Sequence, residues 1–93
     1  MFALNSNIDA SAASAQAQWL KQELASAQPC VAAAWHHARF SSAPDGDNNG
    51  MIAIWDILDK AKADVVLQSH EHQYERFGPM TSDGSLSTTG GLR

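Results

Sequence analysis

The chain has 93 residues, room for one domain at most, and its hydrophobic share of 44% and charged share of 17% fit a folded segment and exclude a disordered one. A net charge of −4 with no block of Lys or Arg argues against a nucleic-acid or anionic-membrane surface. No stretch approaches the roughly 20 apolar residues that would cross a bilayer, and the single cysteine, Cys30, excludes an intrachain disulfide.

Met1–Leu4 is a short apolar run stopping at Asn5-Ser6-Asn7, the end of a strand entering a loop. It lacks the basic flank and long apolar region of a signal peptide. Asp9 or Ser11 can cap a following helix, since either side-chain oxygen accepts from an orphan backbone N–H. That helix is predicted to reach about Gln28, with Ala13, Ala17, Leu20, Leu24 and Ala27 on one apolar stripe, and Pro29 ends it. Cys30-Val31-Ala32-Ala33-Ala34-Trp35 is apolar at every position, which predicts a strand buried on both faces, with Cys30 a small buried side chain. A polar loop is expected from His36 to Gly50.

Met51 to Ala63 reads as a second amphipathic helix, with Met51, Ile54, Trp55, Leu58 and Ala61 on one face. Asp64–Gln68 is a short buried strand and Ser69–Pro79 a loop. The tail from Thr81 to Arg93 is rich in Gly, Ser and Thr and offers nothing to bury, though Asp83-Gly84 signals a turn compatible with a hairpin. Trp19, Trp35 and Trp55 are expected in the core. Strands alternating with helices imply an α/β fold with a parallel sheet.

All the histidines fall in two places, His36-His37 and His70-Glu71-His72, each at the end of a predicted strand. Open α/β sheets bind ligands beyond the carboxyl ends of their strands, so the two clusters can face one crevice. In extended backbone, residues two apart point to the same side. His70 and His72 can then both aim inward while Glu71 points elsewhere. Imidazoles fixed on one segment make half of a metal site, although a single His-x-His pair also arises often by chance.

Trp35-His36-His37-Ala38-Arg39-Phe40-Ser41-Ser42 resembles the histidine motif of calcineurin-like metallophosphoesterases, including purple acid phosphatase relatives. Ser69-His70-Glu71-His72-Gln73-Tyr74-Glu75-Arg76-Phe77 is similar to their Gly-His-x-His-x-Tyr-Glu-Arg segment. Gln18-Trp19-Leu20 and Asp64-Val65-Val66-Leu67 are similar to the elements that precede the two motifs. The resemblance spans nearly the whole chain. It implies that residues 1–93 are the C-terminal β-α-β-α-β portion of a layered α/β/β/α sandwich, the metallo-dependent phosphatase fold.

It further implies hydrolysis of phosphate esters at two divalent or trivalent ions of iron, zinc or manganese. His36 and His70 would share one ion and His72 would bind the other. His37 is left as either a substrate-facing group or a support behind the ligands. Tyr74, Glu75 and Arg76 are expected to hold the ligand loop through an Arg–carboxylate pair. Asp45 and Asp47 sit in a Gly/Asn-rich stretch and are read as turn residues.

Two positions depart from the family pattern: Ser69 stands where it has glycine and Ala38 where it has proline. The family's upstream Asp-x-His, Gly-Asp and Gly-Asn-His motifs do not occur. A missing N-terminal half of the same domain is therefore the expected partner, and the chain alone is expected to be inactive. A secreted or periplasmic setting follows from the resemblance alone. The rival expectation is a catalytically inactive binding module that keeps the fold. A structural zinc site using Cys30 is disfavoured, because Cys30 lies at the opposite end of its strand from His36.

Overall fold

The computed structural model describes residues 1–26 and 29–93. In chain order the elements are β1 (Phe2–Ala3), α1 (Ala15–Leu24), β2 (Ala32–His37), a 3-10 turn (Asn49–Met51) leading into α2 (Ile52–Lys60), and β3 (Val65–Ser69). The strands form one parallel sheet in the order β1-β2-β3. The two helices pack against each other, as right-handed crossovers between sequential parallel strands require. This is a small α/β domain, as the alternating pattern predicts.

The core lies between the helices and one sheet face. Phe2, Ala33 and Val66 are in register on that face and meet Ala17 and Leu20 of α1 and Ile54, Trp55 and Leu58 of α2. Ala3, Ala34 and Leu67 are in register on the opposite face, where Leu67 is 57% exposed. The expectation of strands buried on both faces is thus corrected: among the described residues only one face is covered. Small alanines on β2 made the run read as uniformly apolar without revealing which side had a partner.

Helix α1 is shorter than its apolar pattern. Its cap is Ser14, whose Oγ accepts from the Ala17 backbone N–H at 3.1 Å, a contact worth about 1 kcal/mol. Asp9 instead accepts from the Ser11 N–H at 2.9 Å, closing a tight turn upstream of the helix. Ala13 therefore precedes the helix and is exposed, while the expected end near Gln28, with Ala27, lies outside the described residues. Trp19 falls off the Ala17–Leu20 stripe and is 42% exposed, set edge-on to Phe2 with ring centroids 6.0 Å apart. Cys30 is exposed, not buried. The strand begins only at Ala32, leaving Cys30 in the bend after Pro29.

The carboxyl-terminal tail also departs from expectation. Asp83-Gly84 does form a tight turn: Thr81 N–H donates to Ser85 O at 3.0 Å, and Gly84 adopts φ +89°, which its missing Cβ allows. Asp83 accepts from Thr81 Oγ1 and the Ser85 N–H, and these bonds, the threonine hydroxyl foremost, hold its carboxyl down at about 2. Beyond the turn, Met80 bridges antiparallel to both Leu86 and Leu92. Leu92 is 1% exposed and joins the core, and Arg93 O accepts from Val66 N–H of β3. A segment poor in apolar residues thus contributes a fully buried leucine.

Leu92→Ala is expected to destabilise the domain by roughly 2–5 kcal/mol, the range for deleting a buried leucine side chain. Urea denaturation followed by circular dichroism measures it. An unchanged midpoint would show that the tail is not docked.

Candidate metal centre

Both histidine clusters sit at the carboxyl ends of adjacent parallel strands. His36 and His37 are the last residues of β2, and His70 directly follows β3. The pairing Ala34↔Leu67 is followed by His37↔Ser69. Strand β2 therefore advances three residues while β3 advances two, and the extra residue is a β-bulge. In a regular strand His36 and His37 would point to opposite faces. With the bulge, both rings lie beside His70.

The ring centroids are 4.9 Å apart for His36–His37, 5.0 Å for His36–His70 and 4.7 Å for His37–His70. One nitrogen from each ring falls within 4.8 Å of the others. His36 Nε2 and His70 Nδ1 are 3.0 Å apart. The outward nitrogens have partners of their own. His36 Nδ1 lies 3.0 Å from Ser69 Oγ, His37 Nδ1 lies 2.8 Å from Ser6 Oγ, and His70 Nε2 lies 3.5 Å from Asp45 Oδ2. Ser6 Oγ also accepts the His37 backbone N–H at 3.0 Å, so one serine fixes both ring and backbone.

His72 belongs to neither group of converging donors and is exposed. The cause is local. His70 and His72 have φ of +77° and +47°, in the left-handed region, so the alternation of an extended segment does not apply to 70–72. For L-residues this conformation costs about 1–2 kcal/mol each. The same bend corrects the expected direction of Glu71: its carboxylate shares a second donor group with Asp45 and His70, also within 4.8 Å. Ser69 itself is not in the left-handed region; in place of a glycine's freedom it supplies a hydroxyl to His36.

A cavity of about 260 Å³ opens beside the rings, lined by His37, Asp45, Asp47, Asn49, His70 and Glu71. A larger cleft of about 590 Å³ runs along β3 and the 71–77 segment and includes none of the histidines. The smaller cavity is therefore the one adjoining the converging nitrogens.

The expected Arg76 pairing is corrected. Tyr74 is 89% exposed, Arg76 is exposed, and no ion pair joins Arg76 to a carboxylate among the described residues. Glu75 instead accepts from both backbone and side chain of Ser42 and from Ser41 Oγ at 3.3 Å. The Ser42 hydroxyl foremost holds the Glu75 carboxyl below its ordinary value. This carboxylate ties the segment after β2 to the segment after β3.

Arg39 makes a second tie. It is 5% exposed, its N–H donates to Gln68 Oε1 at 2.7 Å, and its guanidinium reaches Asn49 Oδ1, Ser82 O and, at 3.9 Å, Asp47. Burial pushes the Arg39 pKa down, and Asp47 opposes the shift. Nothing in the local sequence marks Arg39 as buried, because its partners come from distant segments. The same holds for Ser6 and Asp45, whose roles depend on tertiary approach.

No protein-family model, curated protein or solved structure matches the chain.

Glu75→Ala is expected to raise amide hydrogen exchange at Ser42, whose N–H lies 3.2 Å from Glu75 Oε2. Acid should likewise lower the protection of that amide in the unaltered protein, once the slower intrinsic exchange at low pH is divided out. A carboxyl held below its ordinary value of 4.5 contributes order above that pH and loses it as pH falls through the lowered value. Exchange mass spectrometry tests both, and equal protection of Ser42 in variant and parent would refute the tie.

Proposed function

We propose that this chain supplies the histidine side of a two-metal centre that hydrolyses phosphate esters, as the C-terminal portion of a metallophosphoesterase-like α/β/β/α domain. The observation that carries this reading is the convergence of His36 and His70, 3.0 Å apart, from the carboxyl ends of neighbouring parallel strands. A resemblance in words around the histidines is thereby joined to a meeting of the rings themselves. The uncovered sheet face bearing Ala3, Ala34 and Leu67 supports a second layer against this sheet, as the sandwich requires.

The donors suit such ions. Imidazole binds zinc and iron well, and added oxygen donors admit manganese. In this reading His36 and His70 hold one ion and His72 the other, and His37 lines the adjoining cavity beside them. When bound, two such ions polarise a phosphoryl group and acidify a water. They would also supply the positive charge that a chain of net charge −4 lacks for an anionic substrate.

The test is His70→Ala in the complete natural polypeptide, assayed on p-nitrophenyl phosphate with and without a chelator. Losing a ligand should lower metal-dependent turnover by more than ~100-fold, the upper range for loss of a residue that merely orients one. Unchanged turnover would dismiss the assignment. One observation favours a second reading, a module that holds metal without catalysis: His72 stands apart from the converging nitrogens. Metal analysis separates the two, because the catalytic centre needs two equivalents and the module binds fewer.

A further inference from the structure

We infer that His36, His37 and His70 form a three-imidazole zinc site in which His37, and not His72, is the third ligand. The inference goes beyond the two-metal reading, because it needs only residues of this chain and assigns His37 a bond to the ion.

Three facts carry it. The first is convergence: one nitrogen from each of the three rings lies within 4.8 Å of the others. Zinc–nitrogen bonds of about 2.0–2.1 Å in a tetrahedron separate ligand nitrogens by about 3.3 Å. The 3.0 Å between His36 Nε2 and His70 Nδ1 is within a few tenths of an ångström of that edge.

The second is outward support. A metal-binding histidine characteristically donates its other ring N–H to an oxygen, which fixes tautomer and orientation. Here each of the three has an oxygen at its outward nitrogen: Ser69 Oγ for His36, Ser6 Oγ for His37 and Asp45 Oδ2 for His70. A serine oxygen has lone pairs for such a bond even while accepting a backbone N–H, as Ser6 does. His72 makes no hydrogen bond of this kind among the described residues.

The third follows from the first two. When the outward nitrogens carry the protons, His36 Nε2 and His70 Nδ1 present lone pairs to each other at 3.0 Å. Two facing lone pairs repel, and a cation between them removes the repulsion. The supports and the convergence are therefore mutually consistent with an ion in the middle. Three imidazoles leave the fourth position of a tetrahedral ion open, as in catalytic rather than structural zinc sites.

The experiment is zinc titration of the 93-residue chain, followed by nitrogen-15 shifts of the histidine rings and by calorimetry. The expected result is that Nε2 of His36 and His37 and Nδ1 of His70 shift together while both His72 nitrogens stay in place. In calorimetry His37→Ala should weaken zinc by more than ~100-fold, and Ser6→Ala by ~10–100-fold through loss of the outward support, whereas His72→Ala changes affinity less than ~3-fold. The ring shifts are read on the unaltered chain, so a variant that fails to fold does not remove the test.

Shifts at His36, His70 and His72 with His37 unmoved would overturn the inference and leave the two-metal reading standing. Absence of any ring shift would overturn it as well. Zinc on the three rings of His36, His37 and His70, with no phosphatase activity in the complete polypeptide, would instead remove the two-metal reading and leave this site intact.

Discussion

The candidate site depends on one irregularity, the extra residue in β2 between Ala34 and His37. Without it His36 and His37 would point to opposite faces of the sheet, and both could not meet His70. The irregularity is held in place by the core. Trp35 turns inward at 5% exposure, and its indole N–H donates to His37 O at 2.9 Å. Its ring stands edge-on to Trp55 at 6.3 Å, and Trp55 in turn donates to Met80 O. Met80 pairs with Leu92 of the tail. The packing that stabilises the domain is thus continuous with the backbone geometry that orients the histidines.

Around that geometry, polar ties do what apolar packing does not. The carboxyl ends of β2 and β3 and the segments after them are joined by Arg39 N–H to Gln68, by Glu75 to Ser41 and Ser42, and by Ser69 to His36. Each such bond replaces one made to water, so its net contribution is smaller than that of one well-packed leucine. Their effect is therefore positional more than energetic. They hold two loop-bearing strand ends in a fixed relation while the hydrophobic core lies behind them. Arg39 is the exception in depth: a nearly buried guanidinium, with Asp47 at 3.9 Å as its one carboxylate partner among the described residues, links the 45–50 segment to the hairpin near Ser82.

Much of this order could be read from the chain. Periodicity located both helices, the apolar runs located β2 and β3 within two residues, and the positions of the histidines at strand ends pointed to one crevice. What escaped the sequence has a common physical character: each feature is fixed by a contact between distant residues. Ser14, not Asp9 or Ser11, caps α1 because its side chain meets Ala17 N–H, and any of the three residues carries a suitable oxygen. Cys30 and Val31 read alike, yet Val31 N–H donates to the Asp64 carboxylate and Asp64 N–H donates back to Val31 O, which marks where pairing starts, and Cys30 falls outside it. Leu92 gave no periodic signal, being alone among glycines, and is buried because Met80 brings the tail back across the core. The bulge and the left-handed turn at His70 leave no mark in composition, since neither uses glycine.

The ligand question turns on the same distinction between residue type and preorganisation. His37 and His72 are chemically identical donors adjacent to the same pair, His36 and His70. For His72 to turn inward beside His70 in the manner of an extended segment, the left-handed backbone at both positions must change. The conformational energies at stake are about 1–2 kcal/mol per residue, small beside the ~10–16 kcal/mol of a structural zinc site. Backbone strain alone therefore does not choose between them. Support does: the His37 ring and backbone are both held by Ser6, while His72 has no such anchor among the described residues. A ligand already held in its binding orientation gives up less freedom when the ion arrives, and on that ground His37 is the better third donor in this chain.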